Sequence, residues 1–140
     1  MRIEKLYDTT KGETVFIAGT GPSMRVFPKD FLRDKFVIGL NQFWRYLVPN
    51  YTLTIHPELY LEWEVERKAN PAIPKHLWVI KKKPPMVQLE TSDPNHYVFH
   101  TGKLGDLNVV KTQPADTLYL GEGIQCTAID LAVRMGAKNI

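Results

Sequence analysis

Short apolar runs without polar alternation recur in the first 80 residues, and each is followed by a glycine or a polar residue. Such runs are typical of strands that are buried on both faces of a parallel sheet. We therefore predict strands at residues 14–18, 36–40, 51–55 and 77–80.

Helical patterns lie between and after these runs. The glycines after the first run predict a short helix or helical turn, and Pro57 suits the first turn of a helix that extends through Leu61 and Val65. A second helix is predicted over residues 124–135 and stops at Gly136; its apolar face consists of Ile124, Ala128, Leu131, Ala132 and Met135. This alternation predicts an α/β fold, a Rossmann-like three-layer sandwich with a mostly parallel sheet.

Two segments depart from the alternation. Residues 81–117 contain four prolines and little helical periodicity, so we expect a substrate loop or an insertion there, with a short strand at residues 96–100. Residues 136–140 predict a helix C-cap followed by the first residue of another buried strand. We therefore expect the sheet to be incomplete at the C-terminus, and a homo-oligomer would be one way to cover the gap.

Composition and charge restrict the classes of protein to which this chain can belong. The 140 residues suit a single domain over residues 1–140, and the net charge of +3 is modest. The only compact basic run, residues 81–83, is typical of a solvated loop, so we expect no nucleic-acid partner. The lone Cys126 excludes an internal disulfide. Without a signal peptide or a long apolar run, we expect a cytoplasmic protein with no membrane span.

The first chemical signal is the turn that follows the first predicted strand, Gly19, Thr20, Gly21, Pro22 and Ser23. Two glycines allow a ligand to approach the backbone closely, and Pro22 can occupy the first helical position. Backbone N–H groups and the positive end of a helix dipole would then face an anion, to which Ser23 adds a hydroxyl. A phosphate site is favoured here over a mere tight turn.

A dinucleotide site is disfavoured by two positions. The full fingerprint needs a small residue three positions after Gly21 and an acidic residue at the end of the second strand. Those positions carry Met24 and Asn41. The amide of Asn41 has a donor and an acceptor for a base edge or a sugar hydroxyl, although a turn or capping role is an equal alternative.

Residues 17–23, 41–43 and 127–138 together resemble the bacterial lipooligosaccharide sialyltransferases. Relatives of that family include the motility-accessory glycosyltransferases and an archaeal pterin diphosphokinase branch. The resemblance covers about half of the chain, at its two ends. It implies a Rossmann-like domain that uses a CMP-sugar as the donor substrate.

The resemblance also implies a donor site. In the family the glycine turn lies against the CMP, the asparagine after the second strand contacts the nucleotide, and the segment before the late helix completes the site. Thr20 stands where the family usually has asparagine. The implied donor-site residues are Gly19, Thr20, Gly21, Pro22, Ser23, Asn41, Gln42, Gly121, Gly123 and Gln125.

The base that such a transfer needs has no matching residue. The family's catalytic histidine lies beyond the strand and loop that follow the late helix. Among the four histidines of this chain, His56 is the best candidate because it ends a predicted strand at the ligand-binding edge, although a surface histidine is the commoner role. His96 and His100 would share one side of a strand, but a metal pair there is not favoured.

No Asp-x-Asp occurs in the sequence, which favours a metal-independent CMP-sugar site. A diphosphokinase would need carboxylates for Mg²⁺, and the loop residues Asp106, Asp116 and Glu122 are more typical of solvated side chains. The resemblance implies inverting transfer from a CMP-sugar to a hydroxyl of a glycan acceptor, without a cofactor or a metal. The alternatives are a non-catalytic nucleotide- or phosphate-binding module, either as a fragment or as part of a larger protein, and a pterin diphosphokinase-like enzyme.

Overall fold

The computed structural model describes residues 1–82, 95–102, 114–119, 121 and 123–140. Within them, six strands form one fully parallel sheet in which neighbours in the chain are neighbours in the sheet. The strands are Val15–Ala18 (β1), Phe36–Leu40 (β2), Tyr51–Thr54 (β3), Leu77–Lys81 (β4), His96–Gly102 (β5) and Thr117–Tyr119 (β6). The α-helices are Glu58–Ala69 (α1) and Ile124–Arg134 (α2), and short 3-10 helices span Ile3–Leu6, Pro22–Arg25, Lys29–Leu32 and Phe43–Arg45.

Strand β1 has a neighbour on each side. Ala18 pairs with Gly39 of β2, and on the opposite side Thr14 forms a parallel bridge with Asn139. Val15 N donates to Asn139 O at 2.9 Å. The chain therefore adds strands β2 to β6 in one direction and then returns across the sheet to the other side of β1. The order reverses at β1, and open α/β sheets bind ligands outside the carboxyl ends of the strands at such a switch point.

Alternate side chains of the strands pack on opposite faces of the sheet, as the pleat requires. One face forms a core with α2 and the N-terminal 3-10 helix, to which Val15, Ile38, Leu53, Val79 and Phe99 contribute. The other face packs against the short 3-10 helices near β1 and β2 and, through an aromatic cluster, against α1. The aromatic cluster consists of Trp44, Tyr60, Trp63 and Trp78. The predicted α/β Rossmann-like arrangement of three layers is confirmed.

The helices follow the predicted bounds closely. The predicted apolar face of α2 lies in the core, and Gly136, with φ of +85°, follows its last turn. Helix α1 begins after Pro57, but its buried residues are Tyr60 and Trp63, whereas Leu61 and Val65 are exposed. Neither helix in the described ranges has the length and apolar character needed to cross a membrane.

Residues 81–117 contain more regular structure than the pattern predicts. The predicted strand at 96–100 continues to Gly102, and β6 was not predicted at all. At three residues β6 is too short for a periodic signal, and it exists because His100 and Thr101 of β5 pair with Thr117 and Leu118. Lys83 and most of the predicted loop lie outside the described residues.

Candidate functional site

The carboxyl ends of all six strands lie along one edge of the sheet, because the strands are parallel. The segments that leave this edge carry the residues predicted for the site. Gly19 to Ser23 follow β1, Asn41 and Gln42 follow β2, His56 follows β3, and Gly121, Gly123 and Gln125 lie between β6 and the first turn of α2. The fold therefore brings the predicted site residues to one edge.

Gly19 and Gly21 are not explained by the protein's own packing. Neither has a positive φ, a conformation found among the described glycines only at Gly12 and Gly136. A Cβ atom on Gly19 would have no neighbour within 4 Å, and one on Gly21 would lie 3.9 Å from Ser23 Oγ. A tight turn alone would therefore accept alanine at both positions.

The glycine turn continues into a single 3-10 turn rather than an α-helix. Pro22 occupies its first position as predicted, Met24 is buried, and Thr20 and Ser23 are exposed. Four residues align too few peptide dipoles to attract an anion strongly. The predicted dipole contribution at this turn is therefore small, and the backbone N–H groups remain as donors.

Helix α2 supplies the aligned dipoles instead. It has 11 residues, and its N-cap, Gly123, has no capping hydrogen bond from a side chain in the described part of the chain. The helix runs antiparallel to the strands in its crossover and packs on β6, β1, β2 and β3. Its N-terminus therefore points to the same edge as the glycine turn.

The two glycines that precede α2, Gly121 and Gly123, differ in how much space surrounds them. A Cβ on Gly121 would lie 2.9 Å from Cys126 Sγ and 3.0 Å from Tyr119 Cε1, so packing explains this residue. A Cβ on Gly123 would meet only the flexible end of the Gln125 side chain, at 2.5 Å from Oε1. Of the three residues implied here, Gly123 and the exposed Gln125 are therefore the better candidates for contact with a ligand.

Asn41 combines a turn conformation with an oriented amide. Its φ is +55°, a left-handed conformation that asparagine tolerates better than most residues, and its N–H donates to Leu53 O at 3.0 Å. Thr54 Oγ1 accepts from His56 N at 3.0 Å and lies 3.1 Å from Asn41 Oδ1, to which it donates. The Nδ2 group of Asn41 has no acceptor among the described residues. The turn role that the sequence left open is therefore observed, whereas the contact with a base edge or a sugar hydroxyl stays a prediction.

Gln42 and the aromatic residues after it pack within the protein. Gln42 Nε2 lies 3.5 Å from Glu62 Oε2 of α1, so its amide faces the helix. Phe43 and Trp44 are buried in the core clusters on the α1 side of the sheet, and Gly39 has no room for a Cβ beside Phe43. Both aromatic side chains therefore pack in the core and are not exposed to a ligand at the edge of the sheet.

His56 is half-exposed and belongs to the same network as Asn41. Its Nδ1 lies 3.1 Å from Glu58 Oε1, and its backbone N–H is held by Thr54 as described above. Sequence reasoning missed both Thr54 and Glu58. A threonine two residues before the histidine and a carboxylate two residues after it, at the end of a strand, are the local signal that could have found them.

The other ionisable residues considered for the site lie in other parts of the fold or outside the residues that the structure describes. Burial among Trp44, Trp63 and Trp78 lowers the pKa of His76 to about 4, despite the nearby backbone of Pro74. His96 is buried, and Asp116 lies before β6, 3.8 Å from His100 Nε2. Asp106 and Glu122 are outside the described residues. Within the described ranges, no group of three potential metal ligands comes together.

The parallel sheet with helices on both faces defines this chain as a Rossmann-like α/β protein. Neither a protein-family model nor a curated protein matches the sequence.

Proposed function

We propose that the carboxyl edge of this sheet binds the nucleotide of a CMP-sugar, and that the protein acts as a sialyltransferase-like glycosyltransferase on a hydroxyl of a glycan acceptor. One observation carries the proposal. Gly19 and Gly21 lie at the switch point of the sheet and have neither a strained φ nor a crowded Cβ position. The absence of side chains there leaves the backbone open to a ligand, which is the role that a phosphate-binding turn requires.

The surrounding groups match the parts of such a ligand. Backbone N–H groups of the glycine turn and the N-terminus of α2 favour the phosphate charge. The Asn41 amide has used its oxygen on Thr54, so it offers a donor to the ring nitrogen or carbonyl oxygen of a cytosine, or to a ribose hydroxyl. Aligned dipoles and N–H donors can stabilise the phosphate without a metal, in keeping with the absence of Asp-x-Asp.

A nucleotide- or phosphate-binding module without transferase activity is the second candidate. It is favoured by the same edge, because the glycine turn, α2 and Asn41 bind a phosphate or nucleotide whether or not a base is present. A pterin diphosphokinase-like site has less support, because Asp116 precedes β6 and so lies towards the amino edge of the sheet.

A calorimetric titration tests the proposal. CMP should bind saturably with and without EDTA, whereas UDP, NAD and ATP with Mg²⁺ should bind more weakly. Asn41→Gly removes the amide but keeps a residue that adopts a positive φ, so it should weaken CMP binding about three- to tenfold, the value of one hydrogen bond, without loss of folding. A folded protein that binds no cytidine nucleotide would refute the proposal.

A further inference from the structure

A histidine–carboxylate pair lies at the end of β3, on the edge proposed to hold the nucleotide. Glu58, in the first turn of α1, places Oε1 3.1 Å from His56 Nδ1. A carboxylate that accepts from Nδ1 fixes the orientation of the neutral ring and puts its proton on Nδ1. The Nε2 lone pair is then available to take a proton from a substrate.

The backbone beneath the pair is also held in place. Thr54 Oγ1 accepts from His56 N at 3.0 Å and joins the histidine to Asn41 through a 3.1 Å contact with Oδ1. Asn41 itself has a φ of +55°. Uncommon backbone conformations of this kind are concentrated at functional sites. The residue proposed to contact the nucleotide and the histidine therefore belong to one ordered network.

The spacing along the sheet suits a transfer reaction. Strands β1 and β3 are separated only by β2, so the glycine turn and His56 leave the sheet about two strand spacings apart, or about 10 Å. A phosphate at the glycine turn would leave room for the sugar between it and the histidine. About half of the His56 side chain, 46%, is exposed, so an acceptor hydroxyl can reach the ring.

The other three histidines lack this placement. His76 and His96 are buried on the α1 side of the sheet, in contact with tryptophan or tyrosine rings. His100 is half-exposed, but it lies within β5 and faces Asp116, which precedes β6. Only His56 combines exposure, a carboxylate partner and a position at the carboxyl edge.

We propose that His56 is the general base of the transfer reaction and that Glu58 is its positioning residue, an inference that rests on the nucleotide site proposed above. Nε2 takes the proton of the acceptor hydroxyl as its oxygen bonds to the anomeric carbon of the CMP-sugar. The bond from that carbon to the phosphate oxygen breaks, and CMP leaves with the electron pair. His56 then releases the proton to solvent. Without a glycan, water is the acceptor and the sugar is released.

Hydrolysis of CMP-N-acetylneuraminate by the 140-residue chain tests the base, with CMP release measured against the uncatalysed rate. His56→Asn should lower kcat about 100-fold or more, because a general base contributes at least that much. Glu58→Gln should lower kcat about tenfold or more with KM unchanged, because it acts only through the ring. Added imidazole should restore turnover to His56→Gly. His100→Asn removes another half-exposed histidine beside a carboxylate and should change nothing.

Calorimetric CMP binding by each variant separates the outcomes. Intact CMP binding with lost turnover supports the base. Intact binding with no turnover above the uncatalysed rate in the unmodified chain, or with turnover that survives His56→Asn, overturns it and leaves the nucleotide site standing. Absence of CMP binding by the unmodified chain overturns both proposals.

Discussion

At the scale of single residues, the glycines of this chain fall into groups that sequence alone cannot separate. Gly39 and Gly121 lie against side chains that leave no room for a Cβ, and Gly12 and Gly136 have positive φ angles. Gly19 and Gly21 meet neither condition, so their identity is not required by the fold. Glycine lowers the stability of the folded chain, so a glycine that the fold does not require is expected where a ligand approaches the backbone.

Gly19→Ala should therefore separate stability from binding. The fold accepts the methyl group, so the free energy of unfolding should rise by about 0.4–1 kcal/mol through the smaller entropy of the unfolded chain. The same methyl group would stand in the phosphate site, and CMP affinity should fall at least about tenfold, or about 1.4 kcal/mol.

Urea unfolding and calorimetry on the same preparation measure the two effects. Gly12→Ala is the matched control: its φ of +84° makes alanine unfavourable, so it should lower stability by about 1 kcal/mol while CMP affinity stays constant. A Gly19→Ala protein that binds CMP normally would contradict the proposed site.

At the scale of elements, α2 covers one face of the core and also forms a hydrogen bond to the backbone of the short strand β6. Asp130 Oδ2 accepts from Tyr119 N at 2.7 Å, and Asp130 Oδ1 accepts from Arg134 Nε at 2.9 Å. Both side chains of this ion pair are largely buried, with 11% of Asp130 and 16% of Arg134 exposed. A three-residue strand has few ladder bonds of its own, so the carboxylate fixes β6 to α2.

Asp130→Ala should lower the free energy of unfolding by about 2–4 kcal/mol, because a backbone N–H loses its acceptor and a largely buried guanidinium loses its carboxylate, keeping its hydrogen bond to the Tyr7 hydroxyl. Asp130→Asn retains an oxygen acceptor and should cost less. Chemical denaturation of both variants and of Arg134→Met provides the comparison, and the double mutant should cost less than the sum of the single mutants. A loss below about 0.5 kcal/mol for Asp130→Ala, the usual size of a surface change, would show that β6 does not depend on this contact.

At the scale of the whole molecule, the aromatic cluster between α1 and the sheet encloses a histidine that the fold keeps neutral. His76 packs against Trp78 with ring centroids 5.4 Å apart and against Trp63 at 5.0 Å. Burial lowers its pKa from 6.5 to about 4. The unfolded chain therefore binds a proton between these pH values that the folded chain does not bind.

Stability should consequently decrease as the pH falls from about 6.5 to about 4, and it should be independent of His76 above that range. Since one pKa unit corresponds to about 1.4 kcal/mol, the full loss is about 3 kcal/mol. Urea unfolding at pH 7.5 and 4.5 should show a larger decrease for the unmodified chain than for His76→Phe, which cannot be protonated there. Equal decreases in the two proteins would contradict this role of His76.

Much of the fold followed from local pattern. The runs at residues 36–40 and 77–80 became strands, and the apolar spacing from Ile124 to Met135 became the buried face of α2. The apolar spacing did not predict the buried face of α1, because tyrosine and tryptophan rather than Leu61 and Val65 pack against the sheet. Strand β6 could not be predicted from its sequence, because its three residues are ordered by pairing with β5 and by a hydrogen bond to Asp130. Both partners lie outside the strand's own short stretch of sequence.

The sequence by itself determined the positions of five strands and two helices, since buried strands and amphipathic helices leave periodic apolar patterns, and it identified the glycine turn, Asn41 and His56 as candidates. Only the tertiary structure decided that β1 lies between β2 and Asn139, because pairing partners are not encoded locally. It also decided that a Cβ atom at Gly19 or Gly21 would meet no steric conflict. The hydrogen bonds of Thr54 to Asn41 and His56, and the contact of Glu58 with His56, are likewise visible only in the folded chain. These are properties of surrounding space and of side-chain geometry, which exist only once distant segments have packed together.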